Sequence, residues 1–289
     1  MNILLTGVNG QVGWELQRTL ATLGTVTAPT RQQLDFTDAH ALRQYLRELR
    51  PHLIVNPAAY TAVDKAETEP ELAYLINAVA PAIMAEEAAR LGAAIVHYST
   101  DYVFDGNKAE AYTEADPTNP LGVYGNTKLA GEQAIIAAGV PYLILRTSWV
   151  YGLRGGNFLL TMQRLFKERE QLNIVADQFG APTWARMIAE ATAQILAQKP
   201  FADTQQSGIY NLTSSGITHW HAFASAILMR TGLPENRQVA LNAIPASQYP
   251  TPAKRPANSA LCGDKTYQTF GIALPDWETA LGLCLNSTI

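Results

Sequence analysis

Tyr124 and Lys128 are the two residues whose types and spacing most directly suggest catalysis. They lie four positions apart on a predicted helix, so both side chains project from one face, about one turn apart. An ammonium beside a phenol stabilises the phenolate and lowers the tyrosine pKa from about 10 toward neutrality. The hydroxyl then becomes a usable general acid or base. The pair alone is weak evidence, because so short a motif also arises by chance.

Three glycines near the N-terminus predict a nucleotide-binding turn. Residues 3–5 form a short apolar run typical of a buried strand, and an amphipathic helix follows. The turn between them carries Gly7, Gly10 and Gly13. Glycines at this spacing let the backbone turn sharply and let a pyrophosphate approach main-chain N–H groups at the helix N-terminus. We therefore predict a dinucleotide site, with glycines that only close a tight turn as the alternative.

Thr100 brings a third hydroxyl group to the same region. It lies at the C-terminal end of the fourth predicted strand, and the helix that carries Tyr124 and Lys128 comes next. Because ligands gather at the carboxyl ends of parallel strands, the three side chains should converge beside a nicotinamide placed by the glycines. They are the predicted catalytic residues, against the alternative of a purely structural trio.

Cofactor choice is predicted at the end of the second strand, residues 25–28. An acidic residue at that strand end would bind a ribose 2′-hydroxyl and repel a 2′-phosphate, but Thr30 and Arg31 occupy the position. This favours NADPH. The alternative is that Arg31 is only a solvated surface charge. Asp35, with Phe36, follows a few residues later in the expected cofactor site. Asp35 could hold the adenine or a helix start, so NADH stays open.

The composition is that of an ordinary globular chain of 289 residues, 47% hydrophobic and 16% charged, long enough for a large domain with an annex. A net charge of -4 gives no long-range attraction for nucleic acid or anionic membranes. No apolar run approaches the roughly 18 residues of a membrane span, and no basic leader is present, so we expect a cytoplasmic protein. Cys262 and Cys284, the two cysteines, fit a reducing compartment and are interpreted as packing residues.

Strands and helices alternate through the first half of the chain. The predicted elements after the second strand are helices at 42–49 and 70–91, strands at 52–56, 93–98 and 141–147, and a polar loop at 63–67. Alternation of this kind predicts an α/β fold, a Rossmann-type doubly wound parallel sheet covered on both faces. We assign residues 1–150 to this dinucleotide-binding domain.

The alternation loosens over residues 151–289. The predicted elements there are helices at 158–168, 184–198, 220–231 and 277–285 and strands at 172–176, 208–212 and 238–241. We expect a smaller, mainly substrate-binding part folded against the strand ends, with some late elements returning to the Rossmann sheet.

The glycine turn, the strand-end threonine and the Tyr-x-x-x-Lys pair together resemble the extended short-chain dehydrogenase/reductase family. Longer blocks that span most of the chain narrow the resemblance to nucleotide-sugar reductases: MNILLTGVNGQVGWELQ, NPAAYTAVDKAE, HYSTDYVFDG, YGNTKLAGE, RTSWVYG and TPAKRP. The resemblance implies reduction of the C4 keto group of dTDP-4-dehydro-L-rhamnose to dTDP-L-rhamnose, with NADPH as hydride donor.

The resemblance also implies roles for individual residues. Tyr124 is the implied proton donor, Lys128 holds the cofactor ribose and tunes Tyr124, and Thr100 assists at the sugar oxygen. The implied cofactor-lining residues are Gly10, Gln11, Val12, Ala59, Tyr60 and Thr61, and the implied sugar-contacting residues are Thr100, Asp101 and Trp149. Trp149 has an apolar face suited to a deoxysugar, with a buried core tryptophan as the alternative.

Four further residues have weaker interpretations. Arg255, in a proline-rich basic loop, is a candidate for bidentate binding of the substrate diphosphate, or else a surface arginine. His97 lies inside an apolar strand and is interpreted as a core residue without a role. Some relatives are thought to use Mg²⁺ at glutamate-rich subunit contacts, for which Glu15 and Glu190 are the candidates. Solvated glutamates are the alternative, and a homodimer is an open expectation.

One departure separates this chain from sister enzymes. Sugar-nucleotide 4,6-dehydratases of the family carry Thr-Asp-Glu at the strand end, since eliminating water needs an extra acid and base. This chain has Thr100-Asp101-Tyr102, which favours simple carbonyl reduction. The alternatives are another sugar-nucleotide reductase or epimerase, or a catalytically silent subunit that keeps the cofactor site. The intact Thr100, Tyr124 and Lys128 count against a silent subunit.

Overall fold

The structure is a computed structural model that describes residues 1–201, 206–233 and 237–287. Its strands are β1 (Asn2–Leu5), β2 (Thr25–Thr27), β3 (Leu53–Asn56), β4 (Ala94–Thr100), β5 (Tyr142–Thr147), β6 (Val150–Tyr151), β7 (Gln171–Val175), β8 (Phe179–Gly180), β9 (Thr183–Trp184), β10 (Gly208–Asn211), β11 (Thr218–His219) and β12 (Ala240–Ile244). Its α-helices are α1 (Gln11–Leu20), α2 (Ala39–Leu49), α3 (Val63–Ala66), α4 (Pro70–Tyr74), α5 (Ala80–Leu91), α6 (Val123–Ala137), α7 (Phe158–Glu168), α8 (Ala185–Ala197), α9 (Trp220–Thr231), α10 (Asp264–Phe270) and α11 (Trp277–Asn286).

Six strands form the central sheet, in the order β10-β5-β4-β3-β1-β2. Every neighbouring pair is parallel, and Ile3 of β1 pairs with Val26 on one side and Leu53 on the other. The order of the strands reverses between β1 and β3, and open α/β sheets bind ligands outside the carboxyl ends at such a point. The predicted α/β fold with a Rossmann-type parallel sheet is confirmed.

Helices cover both faces of the sheet because successive side chains of each strand point to opposite sides. Ile3 and Leu5 of β1 face a core shared with α1 and α8. Leu4, between them, faces a core shared with α2, α5 and α6. All three side chains are buried, so β1 reads as a continuous apolar run rather than an alternating one.

The helix predicted at 70–91 is interrupted by one π turn at Leu75–Val79, between α4 and α5. Contrary to the expectation from the sequence, the segment Pro70–Leu91 is by length and composition alone apolar enough to cross a membrane. In the fold, however, 56% of its most apolar window is buried. Glu87 of α5 is also buried and pairs with Arg47 of α2 at 2.7 Å. The segment is therefore interpreted as a core helix.

Residues 63–67, predicted as a polar loop, contain the short helix α3 instead. The amide of Ala66 donates to the carbonyl of Ala62 at 2.9 Å. The carboxylate of Glu67 accepts from the amide of Val123, the first residue of α6, also at 2.9 Å. Glu67 thereby caps the helix that carries the predicted catalytic pair. The sequence pattern did not reveal this contact because its two residues are 56 positions apart.

Some elements after residue 150 join the central sheet and its helices, and others form a separate core, called the second core below. β10 extends the central sheet beside β5, and α8 packs on α1, where the Thr19 hydroxyl donates to the Ala189 carbonyl at 3.2 Å. A separate core contains Tyr151, Phe223 and Trp277. Late elements therefore contribute both to the sheet and to the second core.

Several short elements were not anticipated from the sequence. The two-residue strands β6, β8, β9 and β11 carry too few residues for any periodicity to show. The helix α10 ends at Gly271, which adopts a left-handed φ of +67°. Cys284 is buried in the second core and Cys262 is half-buried, as expected of packing residues.

Candidate active site

A cavity of about 660 Å³ lies at the carboxyl ends of β1, β3, β4 and β5. The predicted site residues that line it are Gly7, Gly10, Gln11, Val12, Gly13, Arg31, Asp35, Phe36, Ala59, Thr61, Thr100, Asp101, Tyr124, Lys128 and Trp149. Four other predicted residues, Tyr60, Arg255, Glu15 and Glu190, lie outside this lining. The fold thus brings the glycine turn and the predicted catalytic trio into one cavity.

The glycine turn is shaped by close backbone contacts. Gly7 has a left-handed φ of +59°, and a Cβ there would come within 2.8 Å of the Ala58 backbone. A Cβ on Gly13 would collide with the Gly7 carbonyl group, so α1 approaches the turn closely only because glycine is there. Among the described residues, no side chain caps α1, whose N-cap is Gly10. The N–H groups of its first turn are therefore available to a pyrophosphate, and the turn fits a dinucleotide.

The far end of the cavity contains Arg31, Asp35 and Phe36. The carboxylate of Asp35 accepts from both the amide and the hydroxyl of Thr37, each at 2.9 Å. These hydrogen bonds, the backbone one first, lower the pKa of Asp35. Asp35 therefore stabilises the turn before α2, whereas Asp38 caps the start of that helix. The predicted contact of Asp35 with the adenine stays a prediction. Arg31 is exposed and lines the cavity. A cation in this position could contact the 2′-phosphate of a bound cofactor.

Tyr60 does not line the cavity, unlike its neighbours Ala59 and Thr61. Its hydroxyl donates to Glu69 at 2.7 Å, and its amide donates to the Asn77 side chain at 2.8 Å. The carboxylate of Glu69 therefore holds the Tyr60 ring outside the cavity lining, and the prediction that Tyr60 lines the cofactor stays a prediction that concerns its backbone.

Asn77 is a residue that the sequence reasoning missed. It lies in the π turn, where its amide donates to the Tyr60 carbonyl and to the Thr127 hydroxyl, each at 3.1 Å. The side chain thereby ties the loop after β3 to α6, which carries Tyr124. A π turn often marks a functional site, but the sequence gives no reliable signal for one.

Tyr124 and Thr100 both line the cavity. Tyr124 is half-buried, and its ring meets the ring of Tyr102 edge-on, with centroids 5.5 Å apart. Desolvation raises the pKa of Tyr124, and hydrogen bonding to Thr100 partly offsets this. The expectation that Lys128 brings this pKa below its ordinary value is not met in the structure.

The reason is the position of the Lys128 amine. Lys128 is 1% exposed, and its Nζ donates to the Tyr98 carbonyl at 2.7 Å and lies 3.1 Å from Nε2 of His97. The group is therefore held against β4. Burial lowers the pKa of Lys128 to about 8.

Asp101 adds a buried carboxyl group beside Thr100. Its Oδ1 accepts from the Thr100 hydroxyl at 2.9 Å. Burial raises the pKa of Asp101 to about 6, although the Ser259 hydroxyl lies close enough to lower this pKa in part. Among the described residues, Oδ2 makes no hydrogen bond of good geometry. A buried acceptor of this kind, on the lining of the cavity, suits a hydroxyl group of a sugar.

Trp149 forms an apolar side of the cavity and is tightly held. It adopts a left-handed φ of +46°, which is strained for a residue with a large side chain. Its indole stacks on that of Trp220, with centroids 3.5 Å apart and planes at 6°, and its Nε1 donates to the Ser259 hydroxyl at 3.1 Å. Trp220 also lines the cavity, and sequence reasoning did not identify it.

Arg255 pairs with Asp64 of α3 at 2.8 Å and lies outside the cavity lining. The guanidinium is engaged by this carboxylate, and the prediction that Arg255 binds a diphosphate stays a prediction. The partner was missed because residues 63–67 were interpreted as loop.

Glu15 and Glu190 do lie near each other, but arginines hold them. Arg18 is 3.5 Å from Glu15 and 3.3 Å from Glu190, and Arg186 is 3.2 Å from Glu15. Within residues 1–201, 206–233 and 237–287, no group of three or more His, Cys, Asp or Glu side chains could hold a metal ion. Two carboxylates paired with arginines do not fit Mg²⁺, which takes oxygen ligands in octahedral geometry.

Comparison with known proteins gives full-length matches. The family model of the RmlD substrate binding domain matches residues 1–289. The chain is 48% identical to a dTDP-4-dehydrorhamnose reductase of Burkholderia thailandensis, over 100% of this chain and 99% of that protein. It is also 48% identical to the enzyme of that name in Escherichia coli K12, over 99% and 97% of the two chains.

Solved structures give the same picture. A dTDP-4-dehydrorhamnose reductase from Clostridium acetobutylicum superposes with a TM-score of 0.92 at 38% identity, over 100% of this chain and 99% of that one. The Bacillus anthracis enzyme, solved in complex with NADP, has a TM-score of 0.90 at 34% identity, over 99% of each chain. A Thermus thermophilus UDP-glucose 4-epimerase, at 20% identity, a TM-score of 0.82 and coverage of 99% and 98%, shares the fold.

Proposed function

The chain belongs to the dTDP-4-dehydrorhamnose reductase family, and we propose that it reduces the C4 keto group of dTDP-4-dehydro-L-rhamnose with NADPH, giving dTDP-L-rhamnose. The observation that carries the proposal is one cavity in which Thr100, Tyr124 and Lys128 share a lining with a glycine turn that fits a dinucleotide. The Bacillus anthracis relative, solved with NADP, supports the phosphorylated cofactor. NADH is the second candidate.

The protein's part in the reaction is to bind, orient and protonate. NADPH, when bound, supplies the hydride that adds to C4 of the sugar. As the carbonyl oxygen takes up negative charge, Tyr124 donates its hydroxyl proton to it, so the product is an alcohol. The raised pKa keeps Tyr124 protonated at neutral pH, which is the form an acid needs. The phenolate that remains regains its proton from solvent before the next cycle.

Lys128 and Thr100 support the proton transfer from either side. With a pKa of about 8, Lys128 is largely an ammonium at pH 7. We assign this charge to stabilising the phenolate that Tyr124 becomes during the reaction, although it does not lower the pKa of Tyr124 in the structure. We assign Thr100 to the sugar oxygen that receives the proton. Trp149 and Trp220 supply an apolar surface for the deoxysugar.

Reduction is favoured over elimination because the position after Asp101 holds Tyr102 rather than a carboxylate. Burial raises the pKa of Tyr102 to about 12, so its phenol is a poor base at neutral pH. Elimination of water needs a second acid–base pair, whereas carbonyl reduction needs one acid. The epimerase neighbour at 20% identity shows only the fold and does not favour epimerisation.

The test uses the purified protein with two substrate and cofactor pairs. Given dTDP-4-dehydro-L-rhamnose and NADPH, it should form one NADP⁺ for each dTDP-L-rhamnose. Given dTDP-glucose and NAD⁺, it should release no 4-keto-6-deoxy product. A protein that forms that product, or that purifies with stoichiometric NAD⁺ and ignores NADPH, is not a reductase. Absence of any NADPH oxidation would support a silent cofactor-binding subunit.

A cytoplasmic location and a homodimer remain part of the proposal on sequence grounds. Light scattering of the purified protein would decide the oligomeric state. No step is assigned to Mg²⁺, because Glu15 and Glu190 are engaged by arginines.

A further inference from the structure

A buried chain of hydrogen bonds joins Lys128 to Thr6 through His97 and Asn56. The Nζ of Lys128 is 3.1 Å from Nε2 of His97, and Nδ1 of His97 is 3.1 Å from the amide nitrogen of Asn56. The Thr6 hydroxyl donates to the amide oxygen of Asn56 at 2.6 Å. All four residues are at most 1% exposed, yet Lys128 and Thr6 both border the cavity. The chain therefore connects two points of one site beneath its surface.

The donors and acceptors of the chain determine where its protons lie. Because the oxygen of Asn56 accepts from Thr6, its amide nitrogen donates to Nδ1 of His97. Burial lowers the pKa of His97 well below its ordinary value, and an ammonium on Lys128 lowers it further, so the ring is neutral in either charge state of the amine. Its single proton lies on Nε2 and points at Nζ of Lys128. Only an unprotonated amine can accept it.

The hydrogen-bond chain from Lys128 to Thr6 has one other self-consistent arrangement, in which every hydrogen bond runs in the opposite direction. An ammonium on Lys128 donates to Nε2 of His97, and Nδ1–H donates to the oxygen of Asn56, whose amide has turned over. The amide nitrogen of Asn56 then donates to the oxygen of Thr6. The Thr6 hydroxyl hydrogen is left for an acceptor in the cavity. The direction of the chain and the charge of Lys128 thus change together.

We propose that Thr6, Asn56 and His97 are positioning residues that couple hydrogen bonding at Thr6 to the protonation of Lys128. While the Thr6 hydroxyl donates to Asn56, the chain favours the neutral amine. When the hydroxyl donates to a ligand oxygen, the hydrogen bonds reverse and favour the ammonium. When the hydroxyl is absent, the amide oxygen of Asn56 no longer accepts from Thr6 and is released to accept from Nδ1–H of His97, which also favours the ammonium. The consequence for turnover rests on the proposed function, in which the ammonium of Lys128 supports Tyr124.

Other ionisable groups near Lys128 are fixed by their own contacts. Tyr124 and Glu132 face it from the same helix, and Glu132 raises its pKa. The carboxylate of Glu132 is in turn held by Arg146 of β5 at 2.7 Å. From β4, the Tyr98 carbonyl accepts from Nζ whichever charge the amine carries. Within the part of the chain that the structure describes, the His97 contact is the one whose direction can change.

The tautomer of His97 tests the proposal without any turnover. In protein labelled with ¹⁵N-histidine, long-range proton–nitrogen correlation separates Nε2–H from Nδ1–H rings, and His97→Gln identifies the resonance among the five histidines. At a pH just above the Lys128 pKa of about 8, where the amine is mainly neutral, the ligand-free wild type should show Nε2–H, and the variants are compared at that same pH. Thr6→Val, which removes the hydroxyl at similar volume, should show Nδ1–H, and the matched control Thr6→Ser should show Nε2–H. A wild-type ring protonated on Nδ1, or a Thr6→Val spectrum like that of the wild type, would overturn the proposal.

The pH profile of kcat tests the link to the reaction. If the ammonium is the active form, kcat falls as pH rises through the Lys128 pKa of about 8. Thr6→Val should move this alkaline limb upward by about one pH unit, the size of one hydrogen bond to a charged group, and Thr6→Ser should not move it. A tautomer that changes without a shift of this limb would overturn the coupling. The proposed reduction itself would still stand, because substrate turnover is measured separately.

Discussion

At the scale of single residues, desolvation sets the charge of the site. It raises the pKa of Tyr124, raises that of Asp101 to about 6 and lowers that of Lys128 to about 8. All three shifts favour the uncharged form, as expected where water is excluded. The hydroxyl of Tyr124 therefore stays protonated and can act as an acid. The pKa values of Asp101 and Lys128 lie close enough to neutral pH for the protonation of these groups to change during turnover.

Tyr124→Phe should remove nearly all turnover and leave cofactor binding intact. General acid catalysis is typically worth about 10²–10⁴-fold, and phenylalanine keeps the ring contact with Tyr102. The measurement is kcat at saturating substrate, with NADPH affinity determined by titration. Tyr267→Phe is the control, because Tyr267 is 60% exposed and lies outside the cavity lining. A Tyr124→Phe enzyme with more than about half of wild-type kcat would exclude this residue as proton donor, since a general acid contributes far more.

Arg31→Ala should weaken NADPH binding more than NADH binding. A hydrogen bond to a charged group is worth about 1.5–3 kcal/mol, and only NADPH carries the 2′-phosphate. Dissociation constants for both cofactors, measured by fluorescence, give the comparison. The control is Arg164→Ala, which removes an arginine 60% exposed and paired with Glu168. Equal losses for the two cofactors would show that Arg31 faces solvent in the complex.

At the scale of elements, local sequence patterns predicted the strands, helices and turns that depend on nearby residues. They did not predict side-chain contacts between distant parts of the chain. The glycine turn and the residues at the end of β4 were predicted because glycine spacing and strand ends are local features. Trp220 and Arg255 depend on partners far away in the sequence, Trp149 and Asp64. Tyr60 depends on Glu69, which lies nine positions away, beyond α3. Side-chain direction at such positions is decided by tertiary packing, which periodicity does not record.

The glycine turn provides a matched pair of substitutions. A Cβ on Gly13 would collide with the Gly7 carbonyl, whereas one on Gly10 would lie 3.2 Å from that oxygen, a contact that a small adjustment relieves. Gly13→Ala should therefore destabilise the fold by about 1–3 kcal/mol, the usual cost of overpacking, and should weaken NADPH binding. Gly10→Ala should keep nearly the wild-type Tm. Denaturation curves for both variants, with and without NADPH, measure this, and equal stabilities would contradict the packing argument.

The segment before α6 contains an acid whose contribution depends on pH. The Asp116 carboxylate accepts from Lys108 Nζ at 2.8 Å and from the Thr113 amide at 2.6 Å. These bonds, with Lys108 first, lower the pKa of Asp116 from 3.8 to about 2. Since the folded-state pKa is depressed, the stabilisation is present above the ordinary pKa and is lost as pH falls through the folded one.

Asp116→Asn should therefore lower the Tm at pH 7, and the difference from the wild type should shrink below the ordinary pKa of 3.8 and close as pH falls to about 2. Thermal denaturation at a series of pH values is the measurement. Glu110→Gln removes an exposed acid from the same segment and is the control. A Tm difference that is constant down to the lowest pH would mean that Asp116→Asn destabilises the protein for a reason other than the loss of the carboxylate charge.

At the scale of the whole molecule, the central sheet and the separate core that contains Tyr151, Phe223 and Trp277 both contribute to the cavity. The central sheet supplies the glycine turn, Thr100 and Lys128, while Trp220 comes from α9, which packs in the second core. The Gln11 side chain donates to the Val150 carbonyl at 3.3 Å and accepts from Asn157 at 3.0 Å. The start of α1 is therefore tied to the later part of the chain, so a ligand at the glycine turn should stabilise both cores.

NADPH should accordingly raise the Tm of the whole protein in a single transition. A ligand at about 100 times its dissociation constant adds about 2.7 kcal/mol to the free energy of unfolding. Calorimetry with increasing NADPH measures the shift and the number of transitions. Arg31→Ala is the control, since it should need more NADPH for the same shift. Two transitions, of which only one responds to NADPH, would show that the cores unfold independently.

The position of β10 at the sheet edge has a consequence for synthesis on the ribosome. Its residues pair with β5, from Gly208 with Leu143 to Asn211 with Arg146. Until residue 211 has left the exit tunnel, the nascent chain therefore carries an unpaired, apolar strand edge at β5, the kind of edge that recruits other chains. Translation of the intervening residues is therefore the interval in which this strand edge is open to other chains. A pause in decoding there would prolong that interval and favour aggregation before the sheet is complete.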